Sequence, residues 1–206
     1  GSDVVGVAQT GTGKTAAFGL PLLAHVDPEA RKVQALVLAP TRELALQVAR
    51  ELEWLYAEAG ARIVTCVGGM DARKEARALN FGIHIVVGTP GRLKDHIDRG
   101  NLDLSALKVL VLDEADEMLD MGFLPDISRI LKLLPANRQS LMFSATFSPD
   151  IARLAKNFLK PDPFMIEVAR QNQTADTVTQ EVFQVADREK TDVLIDILKT
   201  RGPENK

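Results

Sequence analysis

Val4-Val5-Gly6-Val7-Ala8-Gln9-Thr10-Gly11-Thr12-Gly13-Lys14-Thr15 joins an apolar run to a glycine-bearing turn, and a helical pattern follows at residues 16–23. Residues 8–15 fit a P-loop in which Ala8 stands in the place of the first glycine. Gly11 and Gly13 let the backbone turn tightly with its N–H groups inward, a nest for phosphate oxygens. The helix that follows turns its unpaired N–H groups and its positive dipole end to the same anion. Lys14 reaches the β- and γ-phosphates in such a turn, and the Thr15 hydroxyl ligates Mg²⁺. An ordinary strand-to-helix turn is the plainer alternative. The nucleotide-binding candidates are therefore Ala8, Gln9, Thr10, Gly11, Thr12, Gly13, Lys14 and Thr15.

The alternation continues along the chain. Strands are predicted at residues 4–8, 34–39, 63–67, 83–87, 109–112 and 140–143, and most are nearly continuous apolar runs. Strands buried on both faces read this way. Helices are predicted at residues 14–25, 42–59, 71–79, 92–99, 123–134 and 150–158. In the second of these, Leu44, Val48, Leu52 and Leu55 recur at helical spacing. Strict alternation implies an α/β fold, a mostly parallel sheet with helices on both faces. Ligands of such sheets bind beyond the carboxyl ends of the strands.

The 206 residues suffice for one α/β domain with a sizeable core, or one domain and part of another. Aromatic residues are only 5%, so aliphatic side chains must fill the core. A net charge of −3 excludes a broad basic surface, so any nucleic-acid contact must be local. Cys66 is the single cysteine and reads as a buried structural thiol; His25, His84 and His96 show no ligand spacing. No apolar stretch reaches membrane-spanning length and no signal pattern opens the chain, which fits a reducing cytoplasm. The abrupt start at the P-loop strand suggests a chain cut from something longer.

Val109-Leu110-Val111-Leu112 runs straight into Asp113-Glu114-Ala115-Asp116. An apolar strand ending in acids after a P-loop is the Walker B arrangement. Asp113 then sits beside the P-loop, where a carboxylate holds Mg²⁺ through water. Glu114 orients and deprotonates the water that attacks the γ-phosphate. A helix start with dipole-favoured acids is the alternative, and it suits Glu117 and Asp120. The catalytic candidates are Lys14, Asp113 and Glu114; the metal candidates are Thr15 and Asp113.

Three other strand ends carry turn chemistry: Pro40-Thr41-Arg42, Gly68-Gly69 and Thr89-Pro90-Gly91-Arg92. Each alone reads as a capped helix, with Thr41 and Thr89 as N-caps and Pro90 in a first turn. In a parallel sheet they lie on one edge with the P-loop, and Arg42 and Arg92 add charge to their free N–H groups. A row of helix starts suits an extended phosphodiester chain held by its backbone, without sequence preference. At the last strand end, Ser144-Ala145-Thr146 can hydrogen-bond the acidic cluster; Ser148 before Pro149 reads as a helix cap.

On these residues the chain resembles the first RecA-like domain of a DEAD-box ATP-dependent RNA helicase of bacterial type. Residues 8–15 match the family's motif I, 40–45 motif Ia, Gly68-Gly69 the GG element, 89–92 motif Ib, 113–116 motif II and 144–146 motif III. The resemblance implies a RecA-like P-loop NTPase domain at residues 1–166 that uses ATP and Mg²⁺. It implies RNA held by its backbone at Pro40, Thr41, Arg42, Gly68, Gly69, Thr89, Pro90, Gly91 and Arg92. Asp116, Ser144, Ala145 and Thr146 would couple nucleotide to domain closure.

Residues 167–180, polar and poor in apolar groups, read as a linker. A strand at 181–186 and a helix at 187–199, with Val193, Leu194, Ile197 and Leu198 on one face, open a second RecA-like domain or dock on the first. The family's Q motif and the second domain's arginine fingers have no counterpart in these residues. The expectation is weak nucleotide binding, slow hydrolysis and no unwinding by this chain alone. A nucleotide-gated RNA clamp, a DNA helicase and another P-loop NTPase stand as alternative functions. Protein partners and RNA substrate are not readable, and no membrane partner is expected.

Overall fold

Aliphatic β-branched runs of four to six residues become β1 (Val4–Val7), β2 (Ala35–Leu38), β3 (Ile63–Cys66), β4 (Ile85–Gly88), β5 (Val109–Leu112), β6 (Gln139–Ser144) and β7 (Phe164–Glu167). The computed structural model describes residues 1–9, 13–168 and 183–201. The strands form one sheet in the order β3-β4-β2-β5-β6-β1-β7, and every pair is parallel. Between them run α1 (Lys14–Leu23), α2 (Arg42–Leu55), α3 (Ala72–Leu79), α4 (Pro90–Asp98), α5 (Ala115–Asp120), α6 (Leu124–Leu131) and α7 (Pro149–Phe158).

Alternate side chains of β1 to β6 feed two cores. Leu36, Leu38, Leu110, Leu112 and Met142 pack with Leu93, Met118, Ile127 and Leu154 of the helices on one face. Val37, Val87, Val111 and Phe143 pack with Phe18 and Leu22 of α1 and Val48 and Leu52 of α2 on the other. Burial on both faces is why the central strands carry no polar alternation. The Phe18 and Phe143 rings meet at 5.6 Å between centroids, tilted at 47°, and the Tyr56 hydroxyl donates to Gly19 O across the α1–α2 contact.

The six strands expected from sequence form, within two residues at each end. β7 was not anticipated: Phe164, Met165 and Ile166 are all exposed on an edge strand, so no burial pattern marks them. The short α5 corresponds to the helix start that the sequence offered as the alternative for Glu117 and Asp120, and it begins directly behind the acidic turn. Of the strand expected at 181–186, positions 181 and 182 lie outside the described residues. Phe183–Ala186 is not strand, because an apolar run becomes one only through a partner's hydrogen bonds.

The chain divides into two compact units, Gly1–Gln171 and Asn172–Lys206. In the second, a 3₁₀ turn at Asp187–Glu189 leads into α8 (Lys190–Arg201). Val193 and Ile197 are half-buried there, and Leu194 and Ile195 are exposed. Among the described residues no helix is long and apolar enough to cross a membrane.

Two local features set the positions of the outer strands. A β-carbon on Gly88 would stand 2.3 Å from Cys66 O, so only glycine lets β4 end this close to β3. At the other end of the same pair, buried His84 accepts the Arg62 N–H at Nδ1 (2.9 Å) and donates its own N–H to Arg62 O (3.0 Å). Burial, then the charge of Arg62, hold the His84 imidazolium form below its ordinary value of 6.5. As pH falls, the unfolded chain therefore takes up this proton before the folded one. The stabilisation is complete above about pH 6.5 and drains away below it. His84→Asn keeps an acceptor for Arg62 and cannot titrate. Its urea midpoint should gain on that of the parent as pH is lowered from about 7.5 to about 5.5; a constant difference would show that His84 does not titrate with folding.

Candidate functional site

Parallel pairing places all the strand-to-helix turns on one edge. Along it the strand ends follow in the order Cys66, Gly88, Leu38, Leu112, Ser144, Val7 and Glu167. The turns after β3, β4 and β2 thus occupy one half of the edge, and those after β5, β6 and β1 the other.

In the second half, Lys14 of α1 meets the acids that follow β5. Its Nζ lies 2.6 Å from Glu114 Oε1 and 3.8 Å from Asp113 Oδ1, with all three side chains buried. Burial, opposed by Lys14 and reinforced by Glu114, pushes the Asp113 carboxyl up to about 6. Asp113 Oδ1 is buried without a hydrogen-bond partner. Glu114 caps α5 in the left-handed region, φ 53° and ψ 57°, costly for a side chain with a β-carbon. Such strain is tolerated where the surroundings hold it, here the Lys14 pair. Gly13 caps α1 at φ 82°, a conformation glycine adopts freely. Thr15 is half-buried in the first turn of α1. Ala8 is buried and donates its N–H to Ser144 O at 3.0 Å, while Gln9 is exposed. Thr10, Gly11 and Thr12 lie outside the described residues.

The residues after β6 are tied to the acidic turn. Asp116 Oδ2 accepts both the Thr146 N–H (3.0 Å) and the Thr146 hydroxyl (3.1 Å). Ser144 Oγ and Asp116 Oδ1 are buried with no hydrogen-bond partner. Ala145, between Ser144 and Thr146 in the chain, is half-buried.

In the first half of the edge, Thr41 caps α2, its hydroxyl accepting the Leu44 N–H at 3.2 Å, and Pro40 before it is buried. Arg42 is exposed, and its Nη1 stands 3.1 Å from where a Gly69 β-carbon would be. Gly68 and Gly69 form an exposed turn with Gly69 at φ 77°. Thr89 is the N-cap of α4 without a capping bond from its side chain, Pro90 is in the first turn and Gly91 is half-buried. Arg92 is less available than its place in the sequence suggests. Its Nη2 donates to Met70 O at 2.9 Å and its Nη1 pairs with Glu75 Oε2 at 3.4 Å.

Sequence reading missed the residues beneath these turns. Glu75 is buried, although a carboxylate; it sits four residues before Leu79, on the buried stripe of α3. That i,i+4 relation was the available signal. Its Oε1 accepts the Val67 N–H at 3.0 Å and its Oε2 accepts from His96 Nε2 at 2.7 Å. A carboxylate only accepts, so Nε2 carries the proton and Nδ1 faces the Asn101 amide nitrogen at 3.4 Å. Buried Cys66 adjoins the cluster, the ligand atoms of Cys66, Glu75 and His96 all lying within 4.8 Å of one another. Burial, with the Glu75 charge, pushes the thiol up to about 12, which makes it inert. The pairing of Glu75 with Arg92 and His96 already compensates the charge a metal would need.

Comparison with known proteins agrees with this fold. The DEAD/DEAH box helicase family model matches residues 1–154. The chain is 47% identical over 202 residues to the DEAD-box ATP-dependent RNA helicase CshA of Bacillus licheniformis, covering 98% of this chain and 41% of that protein. It is 48% identical over 204 residues to the ATP-dependent RNA helicase CshA of Listeria monocytogenes, covering 99% of this chain and 39% of that protein. It therefore spans about two fifths of the length of these relatives. Among solved structures, a DEAD box protein from Methanococcus jannaschii superposes with a TM-score of 0.78 at 39% identity, covering 97% of this chain and 53% of that one. The Dbp5 protein of S. cerevisiae, bound to Nup159, Gle1, IP6 and ADP, gives 0.73 at 34% identity, covering 82% of this chain and 44% of that one. The α/β fold expected from sequence is thus the RecA-like fold of these proteins, and the chain belongs to the DEAD/DEAH box helicase family.

Proposed function

We infer that this chain is the ATP-binding domain of an ATP-dependent RNA helicase. The observation that carries the reading is the meeting of Lys14, Asp113 and Glu114 at one point of the strand edge, next to a row of helix starts. A buried ammonium between two acids can exchange partners: a bound triphosphate replaces Glu114 as the counter-charge of Lys14. Glu114, released from that pair, becomes the acceptor that orients a water for attack on the γ-phosphate. Its left-handed backbone aims the carboxylate from the head of α5 rather than along the strand.

Mg²⁺ fits the donor set, since a hard cation seeks oxygen ligands and Asp113 Oδ1 is a buried oxygen that no hydrogen bond satisfies. Thr15 and Asp113 would hold it, and bound there it would neutralise charge on the β- and γ-oxygens. The first half of the edge is assigned to the RNA backbone. The N–H groups at the head of α2, the exposed Arg42 and the side-chain-free Gly68-Gly69 turn accept a phosphodiester chain with no base to read. Asp116 and Thr146, joined by two hydrogen bonds, link the acidic turn to the end of β6 and so to the P-loop strand beside it. In this reading residues 167–180 are the linker and 181–206 open a second RecA-like domain that closes over both ligands, in a reducing cytoplasm.

Lys14→Ala removes a charge-assisted contact, so affinity for a fluorescent ATP analogue should drop roughly 10- to 100-fold. Unchanged affinity in that titration would remove Lys14 from the site. In a chain that joins this domain to its partner domain, Glu114→Gln should cut RNA-stimulated turnover by roughly 10²- to 10⁴-fold with analogue binding retained. Turnover that survives the substitution would take the base role from Glu114. Equal stimulation by DNA and RNA would count against RNA as the substrate.

A further inference from the structure

We propose that Glu75 is a positioning residue for nucleic-acid binding. It sets the Gly68-Gly69 turn and the head of α4 in one register, an inference that rests on the RNA-backbone reading of that edge. No recognition motif includes Glu75, and it lies on α3, beneath the edge.

Three contacts close a ring around the glycine turn, and a fourth holds its acid in place. Val67 N donates to Glu75 Oε1 on one side of the turn. Met70 O accepts from Arg92 Nη2 on the other. Glu75 Oε2 and Arg92 Nη1 join the two sides at 3.4 Å. His96, two turns into the buried side of α4, holds the same Oε2 at 2.7 Å and fixes the carboxylate's direction. The turn inside this ring cannot hold itself. A β-carbon on Gly68 would meet nothing within 4 Å, and Gly69 sits at φ 77° with only the Arg42 guanidinium beside it. Two glycines without packing are free to move, so their geometry is inherited from the residues before and after them. Both of those residues are bonded to the Glu75–Arg92 pair.

Stability alone explains the acid poorly. The other buried residue of α3 is Leu79, and an apolar side chain at position 75 would extend that stripe. Buried ion pairs are commonly replaced by packed hydrophobic groups at no loss of stability. What an apolar residue cannot do is bond one loop with one oxygen and a second loop with the other. The ring also ties the Arg92 charge to Glu75, which leaves Arg42 as the exposed cation of this half among the residues assigned to the backbone.

The test compares Glu75→Ala, Glu75→Gln and Arg42→Ala. Binding of a single-stranded oligoribonucleotide, binding of a fluorescent ATP analogue and hydrogen exchange at Val67–Met70 are measured for each, well below the melting temperature. Glu75→Ala should weaken RNA binding roughly 5- to 30-fold, the cost of ordering one or two freed residues on binding, and speed exchange in the turn. Its ATP-analogue affinity should stay as it was. Glu75→Gln keeps an oxygen for Val67 N–H but turns an amide NH₂, which cannot accept, towards the Arg92 and His96 donors, so it should recover only part of both effects. Full recovery would show that the Val67 bond alone sets the turn and would overturn the two-loop role. If Arg42→Ala weakens RNA binding while Glu75→Ala leaves both affinity and exchange unchanged, the backbone reading stands and the positioning role is wrong. If Glu75→Ala loses RNA and ATP-analogue binding together, the residue serves the fold and the proposal fails. If the parent chain and its two-domain form bind no RNA, the backbone reading falls and takes the proposal with it.

Discussion

Every strand of the sheet points the same way, and that single constraint organises the molecule. A parallel strand can be joined to the next only by a crossover, so each strand from β1 to β6 ends in a turn that opens a helix, and all such turns share one edge. Unpaired N–H groups and positive dipole ends therefore accumulate there. Buried on both faces, the sheet holds these turns on rigid supports: β2, β4 and β5 are buried along their whole length. The proposed grip on anionic ligands at several points would need that rigidity, because its affinity would depend on the turns keeping their spacing.

Strand order divides the edge by charge. Around β1, β5 and β6 the groups are buried Lys14 and two acids, Asp113 and Glu114, that compete for its single positive charge. Around β2, β3 and β4 the groups assigned to the backbone are helix-head N–H, glycine and the exposed Arg42, with Glu75 buried in α3 beneath them. The two halves touch through β2 and β5, neighbours in the sheet: Asp113 donates its N–H to Leu38 O at 2.9 Å, one residue from the Pro40-Thr41 turn. A shift at the acidic turn is thereby one hydrogen bond from the proposed backbone contacts.

Much of the fold and of the site was legible beforehand, for reasons that differ by element. The buried strands were visible because burial on both faces removes polar residues from a run. Lys14, Asp113 and Glu114 were visible because strand-end acids and a P-loop are local patterns with few other uses. β7 was not, since its Phe164-Met165-Ile166 lies exposed at the edge and carries no contrast between faces. Glu75 and His96 were not, because a single buried acid on an amphipathic helix resembles a solvated one until its partners are known. The reduced availability of Arg92 followed from the same blind spot: its charge is readable, its commitment to Glu75 and Met70 is not.

The order of residues by itself determined the six buried strands and most of the helices, where their turns fall and which of those turns carry glycine or a helix-start threonine, since each of these depends on neighbours within about ten positions in the chain. Tertiary structure alone decided that β1 lies beside β6 rather than β2, and that β3 and β4 stand together at the far end. It likewise closed the ring through Val67, Glu75, Arg92 and Met70. These are contacts between residues far apart in sequence, selected by which apolar faces cover one another best, and no local pattern encodes that choice.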